Sequence, residues 1–262
     1  MFASTTYIAR RAELCRRIGG GLILIPGNAE ASYNYPNNTY HFRQDGTFLY
    51  YFGLNLPQFF GVIDAATGEA TLFGDDVTVD DIIWMGPQPF IKDKAESVGV
   101  SKSFPFAELE KYLSDAKAKG RKVHFLPPYR NHNKILLNKM LGVGFDQMKA
   151  QASEEFIKAV VSLRLIKEEC EIAELDKACN IGYAMHYTAM KMARLGMVEQ
   201  ELVGVMEGIA ISQGLMPSFP IILSQNGETL HNHSHHQVLL RILLRTHRHS
   251  HCPYLFHLNM CD

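Results

Sequence analysis

Apolar positions at helical spacing open the chain. One face of the first segment is apolar at every third or fourth position, at Ile8, Ala12, Cys15 and Ile18. This spacing predicts a helix that ends at the three glycines 19–21. The apolar run LILIP at 22–26 follows directly and predicts a short buried strand.

Strand-like and helical blocks then alternate up to about residue 145. The strand-like runs are TFLYYFGL (47–54), FFGVID (59–64), EATLF (69–73) and VHFLP (123–127). The second and third form a predicted hairpin that turns at Thr67-Gly68. Helical patterns occupy DDIIWM (80–85), FAELEKYLSDAKAKG (106–120) and NKILLNKML (133–141). Such alternation predicts a compact α/β domain.

Longer helical patterns dominate the chain after Ser153. SEEFIKAVVSLRLIK (153–167) begins with a serine followed by acidic residues, which predicts a capped helix start. An amphipathic helix is predicted over 168–195, ending at Gly196, and another over 199–214. FPIILS (219–224) is predicted as a strand. We therefore predict two domains, at 1–150 and 151–239.

The last segment, residues 240–262, differs abruptly from what precedes it. RILLRTHRHSHCPYLFHLNMCD is rich in arginine and histidine, and it sustains neither a helical nor a strand period. We interpret 240–262 as an aberrant tail, produced by a shifted reading frame or a truncated gene.

Composition excludes several classes of function. The 262-residue chain has a formal net charge of −1, with its basic residues scattered, so no nucleic-acid or anionic-membrane partner is indicated. The longest apolar run is far too short to cross a bilayer. Five cysteines without a CxxC pair, and an N-terminus without an apolar signal core, predict a reducing, cytoplasmic location.

The stretch YHFRQDGTFLYYFGLNLP (40–57) is the most distinctive motif in the chain. Taken alone, it favours a structural role, with Arg43 paired to a carboxylate and the aromatic side chains in the core. Its order of residues nevertheless resembles the N-terminal domain signature of the aminopeptidase P and prolidase family. The residues that carry this resemblance are Phe42, Arg43, Gln44, Asp45, Tyr51, Phe52, Gly53, Asn55 and Pro57. The hairpin at 61–73 and Trp84-Met85-Gly86 extend it.

Two further stretches resemble the catalytic domain of that family. Residues 163–190 are similar to its opening helices through Arg164, Lys167, Glu171 and Ile172. Residues 219–232 resemble the strand and turn that lead to an active-site histidine, which corresponds to His231. The resemblance covers roughly 5–239. It implies a creatinase/aminopeptidase P-like α/β domain followed by an incomplete α+β pita-bread domain.

The resemblance also implies a chemistry. Family members hydrolyse the bond between an N-terminal residue and a following proline, usually with two manganese ions held by two Asp, one His and two Glu. His231 would be no metal ligand; it would hydrogen-bond the substrate or the tetrahedral intermediate. Neutral imidazole suits this role, because it offers one donor and one acceptor near pH 7.

The metal ligands of the family find no match here. No Asp occurs between 239 and 261, and no Glu follows Glu228. We therefore expect no specific manganese binding by this chain and an inactive, truncated form of the enzyme. The histidines near the end could bind a single zinc, nickel or copper ion adventitiously. These are His231, His233, His235, His236, His247, His249 and His251.

Several functions stay open at this point. The leading one is an Xaa-Pro aminopeptidase acting on peptides with proline in second position. A prolidase acting on Xaa-Pro dipeptides is the alternative, and Trp84-Met85-Gly86 leans that way. A non-catalytic binding module on the same fold and a metal-storing histidine tract are two more. The resemblance also implies a possible homo-oligomer formed through the N-terminal domain.

Overall fold

The structure is a computed structural model that describes residues 1–224, 231 and 234–236. The chain forms two compact units, Met1–Lys167 and a second that begins at Glu168. Packing thus divides the chain later than the predicted boundary at 150, because the helix Glu154–Leu165 packs against the first helix of the chain.

A five-stranded mixed sheet lies at the centre of the first unit. Its strands are β1 (Leu22–Pro26), β2 (Phe60–Asp64), β3 (Ala70–Phe73), β4 (Lys102–Phe104) and β5 (Val123–His124). They lie in the order β4-β3-β2-β1-β5. The pairs β1–β2 and β2–β3 are antiparallel, whereas β3–β4 and β1–β5 are parallel. The predicted hairpin at Thr67-Gly68 is confirmed as the β2–β3 connection.

Helices cover both faces of this sheet. They are α1 (Ser4–Ile18), α2 (Gly46–Phe52), α3 (Val79–Met85), α4 (Ile91–Ser97), α5 (Glu108–Ala118), α6 (Asn131–Leu141), α7 (Met148–Gln151) and α8 (Glu154–Leu165). Successive residues of β1 point to opposite faces. Ile23 packs in a core with α1, α2, α4 and α8, while Leu24 packs in a second core with α5 and α6. The predicted α/β class is confirmed.

The run 47–54 is helical from Thr47 to Phe52, so its prediction as a strand was wrong. Asp45 caps α2 by accepting hydrogen bonds from the backbone N–H groups of Thr47 and Phe48 at 2.8 and 2.9 Å. Gly53 ends the helix in the left-handed conformation, with φ of 65°. All residues from Thr47 to Phe52 are buried. A helix buried on all sides shows no 3.6-residue period, and its aromatic residues suggested a strand instead.

The start of α8 was predicted at the right place but for the wrong reason. Ser153 is the N-cap residue, yet its side chain makes no capping hydrogen bond. Its hydroxyl instead lies 2.6 Å from Nδ1 of His124. The strand predicted at 123–127 is short, since only Val123 and His124 pair with β1. The pattern did not reveal β4, α4 or α7.

The described part of the second unit consists mainly of two helices. They are α9 (Glu169–Met192) and α10 (Glu199–Ser212), which confirm the two predicted helices. They pack through Met185, Val203 and Met206, with Ile221 in the same cluster. The prediction of a strand at 219–224 was wrong, because these residues pair with no strand in the part of the chain that the structure describes. The tail 240–262 lies outside the described residues.

Candidate functional site

Gln44 is the centre of the signature segment at 40–57. Its side chain is buried and uses both ends of its amide. Oε1 accepts hydrogen bonds from the backbone N–H groups of Asn28 at 2.7 Å and Asp45 at 2.9 Å. Nε2 donates to the carbonyl oxygens of Leu54 at 3.2 Å and Leu56 at 2.7 Å. One side chain therefore ties together the loop after β1, the start of α2 and the loop that leads to β2.

Asn28 extends this network and is fully buried. Its Nδ2 donates to the carbonyl oxygen of Arg43 at 2.9 Å and to the hydroxyl of Tyr129 at 3.2 Å. Its Oδ1 lies 3.5 Å from Nδ2 of Asn133 on α6. The loop after β1, the loop after β5 and α6 are thus joined at one end of the sheet.

The aromatic residues of the signature fill the core, as the structural reading predicted. Tyr51 and Phe52 are completely buried. Burial raises the pKa of the Tyr51 phenol. A Cβ atom on Gly53 would lie 2.2 Å from the ring of Tyr7, so this position requires glycine for space as well as for its positive φ. Of the remaining signature residues, Asn55 is exposed and Pro57 is half-buried. The signature therefore builds the domain.

Two arginines of α1 hold the last carbonyl groups of α2. Arg10 donates from Nη1 to the carbonyl oxygen of Tyr50 at 3.1 Å, and its guanidinium lies 3.9 Å from the centre of the Tyr50 ring. Arg11 donates to the carbonyl oxygen of Tyr51 at 2.8 Å. Both arginines are buried. A positive charge at a helix C-terminus complements the helix dipole. The predicted apolar face of α1 gave no sign of this contact, because its residues Ile8 and Ala12 are exposed and the two arginines are buried instead.

His124 joins three parts of the first unit. Its Nε2 lies 3.1 Å from the carbonyl oxygen of Gly20, which can only accept, so Nε2 carries the proton. Nδ1 of the neutral ring then accepts the hydrogen bond of the Ser153 hydroxyl. Burial and the nearby Lys122 ammonium lower the pKa of His124. The ring is a neutral structural link between the β1 turn, β5 and α8.

The four residues that suggested a catalytic domain fall in both units. Arg164 lies at the end of α8, with its guanidinium 5.8 Å from the centre of the Tyr50 ring, and Lys167 donates to the carbonyl oxygen of Arg164. Glu171 lies in the first turn of α9 and accepts from the N–H of Glu168 at 3.0 Å, which forms a capping box. Ile172 is partly exposed on the same helix. Each of these contacts is structural.

His231 lies in a turn of the second unit and is exposed. The sequence assigned no role to its neighbour His235, yet His235 is buried, only 5 % exposed, whereas the other described histidines of this segment are exposed. Nδ1 of His235 donates to the carbonyl oxygen of Leu223 at 3.3 Å, and its own carbonyl oxygen accepts from the N–H of Gln200 at 3.0 Å. His235 therefore anchors the segment to the start of α10. His236 is exposed.

The remaining candidate metal ligands are a separate question. His233, His247, His249 and His251 lie outside the described residues. Within the residues that are described, no three His, Cys, Asp or Glu side chains lie close enough together to hold a metal ion. A pair of hard cations needs several carboxylate ligands. The described side chains do not fit the dinuclear group that the family resemblance implies.

Comparison with known proteins adds to this geometry. Residues 7–124 match the family described as aminopeptidase P, N-terminal domain. A probable Xaa-Pro aminopeptidase of Aspergillus niger is 25 % identical over 85 % of this chain and 48 % of its own length. The Xaa-Pro dipeptidase of Homo sapiens is 25 % identical over 80 % of this chain and 43 % of its own length. These matches support a relationship to the aminopeptidase P/prolidase family, with its N-terminal domain at residues 7–124. The chain spans about half the length of these curated relatives.

Solved structures of this family have the same fold. A variant of Escherichia coli aminopeptidase P in complex with substrate superposes with a TM-score of 0.77, over 92 % of this chain and 57 % of that chain, at 23 % identity. Zinc-substituted E. coli aminopeptidase P in complex with product gives the same TM-score and coverage. At this identity the likeness concerns the fold. Aminopeptidase P-like architecture thus extends from the N-terminal domain into the helices of the second unit.

Among the described residues, no helix is long and apolar enough to cross a bilayer.

Proposed function

We propose that the chain is part of an Xaa-Pro peptidase. Such an enzyme releases the N-terminal residue from peptides whose second residue is proline. The observation that carries this proposal is the match to a probable Xaa-Pro aminopeptidase over 85 % of the chain, with the N-terminal domain of that family at 7–124. The proposed substrate is a short peptide with a free N-terminus.

In this proposal His231 contacts the substrate. The imidazole is exposed and so is accessible to a bound peptide. His235 is buried nearby in sequence and donates to the carbonyl oxygen of Leu223, which fixes the position of His235 itself. His231 would donate a hydrogen bond to the carbonyl oxygen at the bond to be cleaved, where negative charge develops during hydrolysis.

Two manganese ions are the proposed cofactor of the family, and they would generate the attacking hydroxide. The matched acidic ligands are absent from 239–261, and the described side chains bring together no ligand group. We therefore propose that residues 1–262 by themselves neither bind the manganese pair specifically nor hydrolyse peptides. A segment that carries the acidic ligands would be needed to complete the site.

A peptidase assay on the purified chain tests this proposal. With added manganese and an Xaa-Pro-Yaa tripeptide, we expect no turnover above that of manganese alone. Metal analysis of the same sample should find well under one manganese per chain. Turnover that is lost in His231→Ala but kept in His236→Ala, together with stoichiometric manganese, would show that the chain is a complete enzyme.

Substrate binding can be tested without hydrolysis. We expect an Xaa-Pro-Yaa peptide to perturb the imidazole resonance of His231 in NMR spectra more than the matched Xaa-Ala-Yaa peptide does. His231→Ala should weaken this binding several-fold, and the exposed His236→Ala should leave it unchanged. Equal binding of both peptides by all three proteins would remove His231 from the substrate site.

Dipeptidase action is the second candidate, and the similarity to the human Xaa-Pro dipeptidase favours it. The two activities differ in the length of peptide that is accepted. A version that carries the complete metal site should cleave Xaa-Pro-Yaa faster than Xaa-Pro if it is an aminopeptidase. A dipeptidase would show the opposite preference.

We also propose a homo-oligomer formed through the N-terminal domain, and a cytoplasmic location. Large apolar side chains on and near α3 favour the oligomer: Ile83, Trp84 and Phe90 are 73 %, 87 % and 63 % exposed. Exposed apolar groups of this size commonly mark an interface. Light scattering should give a dimer or larger mass, and Trp84→Ser should shift it toward the monomer.

A further inference from the structure

A short hairpin, residues 31–40, lies in the loop that follows β1 in the first unit. The backbone N–H of Tyr33 donates to the carbonyl oxygen of Asn38, and the N–H of Tyr40 donates to that of Ala31, both at 2.8 Å. All but one of its residues are exposed. The hairpin contains no charged side chain, although charged residues make up 20 % of the chain. It therefore presents a hydrogen-bonded, uncharged surface to the solvent.

Further hydrogen bonds hold the tip of the hairpin. The N–H of Asn38 donates to the carbonyl oxygen of Tyr35 at 3.1 Å, which closes a turn. Pro36 occupies the second position of this turn, where proline is favoured because its φ angle is already set. The side-chain amide of Asn38 donates to Oδ1 of Asn34 at 2.9 Å. A surface fixed in this way loses little conformational entropy when a partner binds.

Three exposed tyrosines lie on the hairpin. Tyr33 and Tyr35 are each 59 % exposed, and Tyr40 is 50 % exposed. The rings of Tyr33 and Tyr40 stack on each other, with their centres 3.5 Å apart and their planes inclined by 28°. Their exposed area therefore lies on the outer faces and edges of the pair. Tyrosine combines a large, rigid contact surface with a hydroxyl that donates hydrogen bonds.

The chemistry of this surface selects among possible partners. A nucleic acid or a strongly charged peptide finds no opposite charge on the hairpin. A polyproline II segment, in contrast, has no N–H groups at its prolines, and its backbone carbonyl groups make no internal hydrogen bonds. Its apolar rings match exposed aromatic rings, and its carbonyl oxygens match the donor groups of tyrosine and asparagine.

We propose that the hairpin 31–40 binds a proline-rich segment of another protein in the polyproline II conformation. Proline rings of the segment pack on Tyr33, Tyr35 and Tyr40. The tyrosine hydroxyls and the asparagine amides of the hairpin donate to the carbonyl oxygens of the segment. None of the residues assigned to the peptidase takes part, so this binding is independent of hydrolysis and of manganese.

Titration of the full chain with a polyproline peptide of about ten residues tests this proposal. The peptide is acetylated at its N-terminus and amidated at its C-terminus, so it lacks the free amino group of an Xaa-Pro peptidase substrate. We expect saturable shifts of the ring resonances of Tyr33, Tyr35 and Tyr40 in NMR spectra. A glycine–serine peptide of equal length and a soluble glucose oligosaccharide should produce none.

Two single variants identify the binding surface. Tyr35→Ala removes a ring outside the stacked pair, and Tyr33→Ala removes one ring of that pair. We expect each variant to weaken binding by about fivefold or more, because tyrosines commonly dominate the energy of such contacts. Tyr183→Ala is the matched control, since Tyr183 is 67 % exposed and stacks on Tyr187 in the second unit. This variant should bind the peptide as the unaltered chain does.

Several results would overturn the proposal. They are equal shifts with the glycine–serine peptide, unchanged affinity in Tyr35→Ala, and shifts that never saturate. Stronger binding of the oligosaccharide would make the hairpin a glycan site instead. Stronger binding of a free Xaa-Pro-Yaa tripeptide would make it part of the substrate site. Tyr35→Ala keeps the test decisive if the loss of Tyr33 loosens the hairpin, because Tyr35 lies outside the stacked pair.

Discussion

Nη1 of Arg11 lies 2.8 Å from the carbonyl oxygen of Tyr51, and this hydrogen bond fixes the C-terminal end of α2 to α1. Nη2 of the same side chain donates to the carbonyl oxygens of Val98 and Gly99 at 2.9 and 2.8 Å. Burial lowers the pKa of Arg11 to about 10, still far above neutral pH, so the group stays charged. One buried cation thus joins α1, α2 and the end of α4.

Replacing Arg11 by alanine should destabilise the chain severely. Three carbonyl groups, two of them buried and one partly buried, would lose this donor. Hydrogen bonds from a charged group are worth about 1.5–3 kcal/mol each before relaxation. We expect a loss of at least about 3 kcal/mol in the free energy of unfolding, measured by chemical denaturation. The control is Arg16→Ala on the same helix, since Arg16 is exposed and forms an ion pair with nearby Glu13. A change there of more than about 1 kcal/mol would be unexpected.

Gln44→Leu should show how much the signature network contributes. Leucine keeps the approximate volume but leaves two backbone N–H groups and two carbonyl oxygens unpaired. The expected loss is about 2–4 kcal/mol. Gln88→Leu is the matched control, because Gln88 is exposed and makes one long bond to the carbonyl oxygen of Met85. Similar losses in both variants would argue against the network as the cause.

Gly21→Ala separates steric conflict from backbone strain. Gly21 and Gly68 both have positive φ, 83° and 77°. A Cβ atom on Gly21 would lie 2.7 Å from the carbonyl oxygen of Lys122 and 2.8 Å from Nε2 of His124, whereas one on Gly68 would meet nothing within 4 Å. We expect Gly68→Ala to cost about 1–2 kcal/mol from strain alone. Gly21→Ala should cost clearly more in the same denaturation assay.

His124 should make stability depend on pH. The pKa of His124 is lowered in the folded chain. Below pH 6.5 its imidazole therefore binds a proton more readily in the unfolded chain than in the folded chain. Stability is therefore full above about pH 6.5 and falls as the pH drops below it, by at most about 1.4 kcal/mol per pH unit for one proton. His186 has a lowered pKa for the same reason and contributes in the same direction.

Comparison of two variants isolates the contribution of His124. Unfolding free energies measured between pH 5 and 7.5 should vary less with pH in His124→Gln than in the unaltered chain. His132 is exposed, so His132→Gln should keep the original dependence. An unchanged slope in His124→Gln would mean that its pKa is the same in the folded and unfolded chains. Glu13 and Glu155 have pKa values of about 2. Their protonation therefore changes the stability only at pH values below the range of this measurement.

Local pattern was sufficient where one side of an element is polar or where glycine ends it. The first helix ends at Gly19 as predicted, and the hairpin turns at Gly68, because positive φ angles are needed there. The pattern failed where an element is buried on all sides, as at 47–54, or where pairing depends on distant segments, as at 219–224. A strand exists only with a partner, and an isolated sequence window does not contain the partner.

The sequence by itself determined the resemblance to the aminopeptidase P/prolidase family, the α/β class and the position of most helices and of the β2–β3 hairpin, because these follow from short-range periods and from a distinctive order of residues. Only the tertiary structure decided what the polar residues do. Gln44 and Arg11 hydrogen-bond to segments that are distant in the chain. The hydroxyl of Ser153 bonds to His124 instead of capping its own helix, and His235 is buried while His231 is exposed. Their partners lie far apart in the chain, and a buried polar group must find its hydrogen bonds wherever folding brings a partner.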